Sequence, residues 1–206
     1  VMIFPQGLFS TAAMAGLADA GFLAAVNSTC FPHDDPTVRL SLRELMDPAV
    51  TRFGGAPVFR RRYPQERLGF AFDLFVGRPV LICEHHQFFR EGFAPLEALV
   101  DFVRGMEPSL QWPSLHDIVV RACRQRRTVE GWEVAFYGRE LVWRNPAAVP
   151  QLVRFCTSDT ARQVAAVQID DRDVRHDRAD TVLAFETRVP AHAQVHVRLV
   201  SRPVTA

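Results

Sequence analysis

A change of patterning near residue 127 constrains this chain more than any other feature. Ahead of it, short apolar runs alternate with segments of helical spacing. Beyond it, period-two runs follow one another with no helix between. Strands separated by helices imply parallel pairing through right-handed crossovers, whereas strands without helices imply antiparallel pairing. The expected fold is α/β. Residues 1–127 read as half of a parallel β/α barrel, or part of a doubly wound sheet, and residues 128–206 as a small antiparallel β-sandwich-like domain.

In the first unit, Val1–Phe4 reads as a buried strand ending in the turn Pro5-Gln6-Gly7. Ser10 or Thr11 caps a helix through Ala20, with Met14, Leu17 and Ala18 on one face. Phe22–Val26 is a second strand, ending in Asn27-Ser28-Thr29, and a short helix lies near Leu42–Met46. A third strand, Val58–Arg61, runs into Arg62 and Tyr63. A helix over Glu66–Phe75 then turns Phe70, Leu74 and Phe75 inward. Val80–Cys83 is the fourth strand. Ala94–Met106 is the clearest helix, with Leu96, Leu99, Val100 and Val103 in one apolar stripe. Ser114 caps the last helix, Leu115–Arg124.

In the second unit the strand-like runs are Glu130–Phe136, Glu140–Trp143, Val164–Ile169, Val182–Glu186 and Gln194–Val200. Val195, Val197 and Leu199 share one face of the last. Asp170, Asp171, Asp173, His176, Asp177 and Asp180 read as a solvated hairpin loop, because the Gly and terminal Glu of a calcium loop are missing. The chain opens at Val1 directly inside a strand-like run, so it reads as a piece whose amino-terminal portion lies ahead of it.

Composition narrows the class of partner. A hydrophobic content of 48% and a charged content of 23% describe a globular protein able to bury a core. The net charge of +1 makes no electrostatic case for nucleic acid or an anionic membrane, and no apolar run reaches transmembrane length. Cys30, Cys83, Cys123 and Cys156 are widely spaced, which favours free thiols over a disulfide framework.

The chemistry-bearing residues gather at strand ends. Arg78–Gly92, RPVLICEHHQFFREG, takes a buried strand straight into Glu84, His85 and His86. Ligands of α/β folds bind at the carboxyl ends of strands, and three ionisable residues there exceed what packing needs. Strand alternation puts Glu84 and His86 on one face and His85 on the other. A carboxylate and an imidazole beside apolar rings form an acid/base pair or a metal-ligand pair. Tyr63, Phe88, Phe89 and Trp112 are candidates to stack on sugar faces, Gln6 and Asn27 stand at two other strand ends, and Arg61 and Arg62 are placed to grip an anionic group.

The order VMIFPQGLFS, GFLAAVNS, FDLFVGRPVLICEHHQFF, then a helix and a β domain, resembles the carboxyl-terminal half of bacterial polysaccharide deacetylase-like proteins. These are distorted α/β barrels of the carbohydrate esterase superfamily. FPQG stands where that family has an Arg-x-Pro substrate-groove motif; Pro5 matches it, while Phe4 and Gln6 supply no arginine. VLICEHH stands where the family has a Leu-x-His strand end, whose histidine is the catalytic acid; His85 and His86 both fit. The resemblance implies metal-dependent removal of acetyl groups from a poly- or oligosaccharide. It makes His85, His86 and Glu84 the catalytic candidates, and Pro5, Gln6, Asn27, Arg61, Tyr63, Phe88 and Trp112 the substrate-binding ones. It also implies a divalent metal, zinc or similar, whose Asp and His-x-x-x-His ligands belong to the family's amino-terminal half, which these residues do not contain. Two other readings stand beside it. A glycoside hydrolase barrel would need a second strand-end acid, and Asp73 falls within a helix. A non-catalytic glycan-binding or assembly protein would accommodate the degenerate motif.

Overall fold

Strand β1 (Met2–Ile3), β2 (Ala25–Asn27) and β3 (Val58–Arg60) pair in that order, all parallel, as the strand–helix alternation requires. The computed structural model describes residues 1–53, 56–158 and 164–201. Helix α1 (Thr11–Asp19) crosses from β1 to β2; the Ser10 side chain accepts from the Ala13 N–H and starts it. Its Met14, Leu17 and Ala18 are buried against Phe4, Phe9, Ala25 and Val58. Helix α2 (Leu42–Met46) opens with a complete capping box between Ser41 and Glu44. Helices α3 (Arg67–Phe75) and α4 (Ala94–Met106) pack through Phe70, Leu99 and Val103 on Val80 and Ile82.

Val80–Cys83 is reduced from a strand to one parallel bridge, Arg62 to Ile82. The run is apolar enough for a buried strand, yet its partner β3 ends at Arg60, so a longer ladder has nothing to pair with. Among the described residues the parallel strands form an open sheet, not a barrel. Phe75 is 84% exposed rather than buried, because the α3 face directed inward carries Phe70 and Asp73 instead. Helix α5 (Leu115–Arg121), capped by Ser114, stops three residues before the expected Arg124.

Strand β4 (Cys123–Arg127) takes over at once and forms the edge of a five-stranded sheet ordered β10-β11-β7-β5-β4. The strands of this half are β5 (Gly131–Phe136), β6 (Glu140–Arg144), β7 (Gln151–Ser158), β8 (Val164–Ile169), β9 (Arg172–Val174), β10 (Asp177–Ala179), β11 (Val182–Val189) and β12 (Gln194–Ser201). The second sheet is ordered β6-β12-β8-β9. Both sheets turn alternate residues, among them Val134, Phe155, Phe185, Leu141, Val167 and Val197, into one shared core. The pairing departs from a purely antiparallel sandwich, since β5 and β7 run parallel. Between them the chain enters the other sheet as β6 and returns, which brings β7 in with the same sense as β5. Asp170-Asp171 joins β8 to β9 as a two-residue hairpin loop, both residues having positive φ. No helix among the described residues is long and apolar enough to cross a membrane.

Candidate functional site

The carboxyl ends of β1, β2 and β3 and of the Ile82 bridge lie along one edge of the parallel sheet. Which face each side chain takes follows from the core contacts. Val58 packs with Phe4 and Met14, whereas its neighbour Phe59 packs with Val26 and Leu81. Alternation carries Arg60 and Arg62 to the Val58 side, and Arg61 and Tyr63 to the Phe59 side. Along the next segment Val80 and Ile82 face α3 and α4, while Leu81 faces Phe59. Cys83 and His85 follow Leu81. Tyr63 and His85 therefore share a face, and their rings stand 6.3 Å apart, tilted by 33°.

His86 begins a short 3₁₀ turn, His86–Phe89, so strand alternation ends at His85 and does not reach His86. The expectation that Glu84 and His86 share a strand face is corrected accordingly. The Glu84 carboxylate accepts from the His85 backbone N–H at 3.0 Å, not from an imidazole nitrogen. Both histidines are exposed, and Glu84 is half-buried. Phe88 and Phe89 meet edge to face at 5.3 Å, and Phe89 leans on Phe93 at 5.6 Å, so these rings pack first on one another. Trp112, 42% exposed, stands in the loop ahead of α5, and no ring contact joins it to the rim among the described residues.

Pro5 and Gln6 are exposed at the end of β1. Gln6 and Gly7 both adopt positive φ, and a side chain at Gly7 would run into the Ser28 hydroxyl. Asn27 is fully buried. Its amide donates to the Gly7 carbonyl at 2.9 Å and to the Thr29 carbonyl at 3.1 Å, fastening the β1 turn to the end of β2. Its oxygen meets no partner among the described residues. Arg61 reaches in the same direction and donates to the Phe4 carbonyl at 3.2 Å.

Arg62 does not face outward to grip an anion. It is 5% exposed and pairs with Asp73, 2% exposed, which accepts from Nε and, at 2.9 Å, from a terminal nitrogen. Those bonds push the Arg62 pKa up. Glu66 adds a contact at 3.1 Å, and Arg78 lies 3.7 Å from Asp73. Gly69 makes the room, since a Cβ there would stand 2.5 Å from the Arg62 guanidinium. A glycine one turn ahead of a helical Asp is the sequence signal for this buried pair. Asp73 is thereby committed to arginine and is not a strand-end acid.

Among the described residues no three His, Cys, Asp or Glu side chains cluster closely enough to hold a metal ion; the ligands that the resemblance implies belong to that family's amino-terminal half. Burial raises the pKa of the Cys30 thiol, which keeps it protonated near neutral pH. What the edge offers is a solvent-facing imidazole beside a phenol ring, an arginine and a polar turn. Comparison with protein-family models, with curated proteins and with solved structures yields no match to this chain.

Proposed function

We propose that this chain forms the strand-end rim of a carbohydrate-active hydrolase similar to the polysaccharide deacetylases, with His85 as the proton donor to the leaving amine of an N-acetylated sugar. One observation carries the reading: Tyr63 and His85 stand side by side on one face, 6.3 Å apart, at the ends of neighbouring parallel segments. An imidazole exchanges protons near neutral pH, which suits an acid that must protonate an amine as the amide bond breaks. The Tyr63 ring gives a sugar face something to rest on, and Gln6 and Arg61 line the adjacent strand ends. In this reading the sheet β1-β2-β3 with its fourth bridged segment is the half-barrel of that family. His86, one residue into the 3₁₀ turn, is the second candidate for the acid.

His85→Ala should lower turnover of an acetylated oligosaccharide by about 10²–10⁴-fold, the usual scale of general acid catalysis. The melting temperature should stay close to that of the unaltered protein, since the ring is exposed. His86→Ala should have the smaller effect. Full turnover in the His85 variant would refute the assignment. A second reading, a glycan-binding protein without hydrolysis, draws on the missing arginine of the FPQG segment. Retained oligosaccharide binding with no acetate release by the unaltered protein would select it.

A further inference from the structure

Arg60, Arg61 and Arg62 follow one another at the end of β3, yet their surroundings differ. Arg62 is held by Asp73 and Glu66, and Arg60 lies 3.6 Å from Glu66. Arg61 has no ion pair among the described residues. Its one hydrogen bond goes to the Phe4 carbonyl, and its Nε is buried without a partner. That bond holds the guanidinium against the Pro5-Gln6-Gly7 turn, and strand alternation places it on the face of Tyr63 and His85. Partial burial of a cation with neither counter-charge nor a full set of acceptors is unfavourable. A planar anion with two oxygens matches the N–H fork of a guanidinium's terminal nitrogens and supplies the missing counter-charge.

We propose that Arg61 receives a carboxylate of the bound glycan, so that the substrate class is an acidic oligosaccharide containing uronic acid. This rests on the rim being the glycan site. It adds which of the three arginines selects the ligand and for what group. The Phe4 carbonyl leaves the other N–H groups of Arg61 for the ligand, and Tyr63 lies two residues along the same face to support the sugar ring.

The test is calorimetric titration of the whole chain at low salt with uronic-acid oligosaccharides and with their methyl esters, which keep the sugar and remove the charge. The acids should bind about 10- to 100-fold more tightly than the esters, the range for a hydrogen bond to a charged group. Arg61→Gln should abolish the difference at an unchanged melting temperature, and Arg61→Lys, which keeps the charge and loses the fork, should retain part of it. Arg126→Gln, an exposed position on β4, should leave the preference intact. Equal binding of acids and esters would overturn the carboxylate assignment and leave the glycan reading standing. So would an Arg61→Gln variant that keeps the preference, or a sulfated neutral-sugar oligosaccharide that binds as tightly as the uronates. Failure of every oligosaccharide, acetylated neutral ones included, would overturn the rim reading together with it.

Discussion

Asp73 sits between two guanidinium groups in a place water hardly reaches, and it fixes how β3 meets α3. Removing one partner of a buried pair leaves the remaining charge uncompensated, which costs far more than the pair itself contributes. Asp73→Ala should therefore lower the unfolding free energy by about 3–5 kcal/mol in urea titration. The double change Arg62→Met with Asp73→Leu takes out both charges and should cost less than the single one. A single change costing under about 1 kcal/mol would mean that solvent already screens the pair. At this scale the sequence was half legible. Glu84, His85 and His86 announced a strand end through their position after VLIC. That His85 faces Tyr63, while Arg61 and Arg62 divide between the Tyr63 face and the core, depends on register against β2, which no local pattern reveals; only Gly69, one turn ahead of Asp73, marks the buried pair in the sequence.

Among the elements, α2 is the clearest instance of sequence dictating structure: five residues hold as a helix because Ser41 and Glu44 close a capping box. Glu44 accepts from the Ser41 N–H at 2.8 Å and pairs with Arg52 at 2.6 Å. Burial alone would raise its pKa; the Ser41 hydrogen bonds and the Arg52 charge outweigh that and lower it below the usual 4.5. A carboxylate depressed on folding contributes stability above its unfolded pKa and loses it as the pH falls through the folded one. The stability gap between the unaltered protein and Glu44→Gln, about 1 kcal/mol, should thus be constant above pH 4.5 and close below it. A gap that persists at the acid end of paired urea titrations would contradict this. Elements without such local devices were harder to read. β7, QLVRFCTS, is central in its sheet, yet Arg154 on its outer face pairs with Glu186 and breaks up the apolar run. β4, CRQRR, follows a helix with no turn residue between and has no apolar face of its own; only pairing with β5 makes it a strand.

At the scale of the whole molecule, the parallel sheet and the sandwich meet at a junction that includes Tyr137, Asp47 and Arg124. Tyr137, in the turn between β5 and β6, packs on the cluster containing Ala24, Val26 and Phe59. Its hydroxyl donates to Asp47 at 3.1 Å, and Arg124 of β4 pairs with the same carboxylate at 3.3 Å. Burial, then the Asp47 charge, raises the Tyr137 pKa, so the hydroxyl stays a donor across the physiological range. The Asp47 backbone carbonyl accepts from Arg78 at 2.9 Å, which ties this junction back to the segment that carries His85. One residue thus joins α2, the rim segment and two parts of the sandwich. The ion pair to Arg124 is partly exposed and contributes little, so the part-buried hydroxyl bond and the apolar contacts around it carry the coupling. Asp47→Ala should cost about 1–3 kcal/mol and split a single calorimetric transition into two, the sandwich melting apart from the α/β half. Asp47→Asn keeps an acceptor for Tyr137 and loses only the charge, so it should preserve one transition with a smaller loss. If Asp47→Ala still melts in one step at an unchanged temperature, the apolar cluster alone holds the halves together and the hydroxyl bond is dispensable.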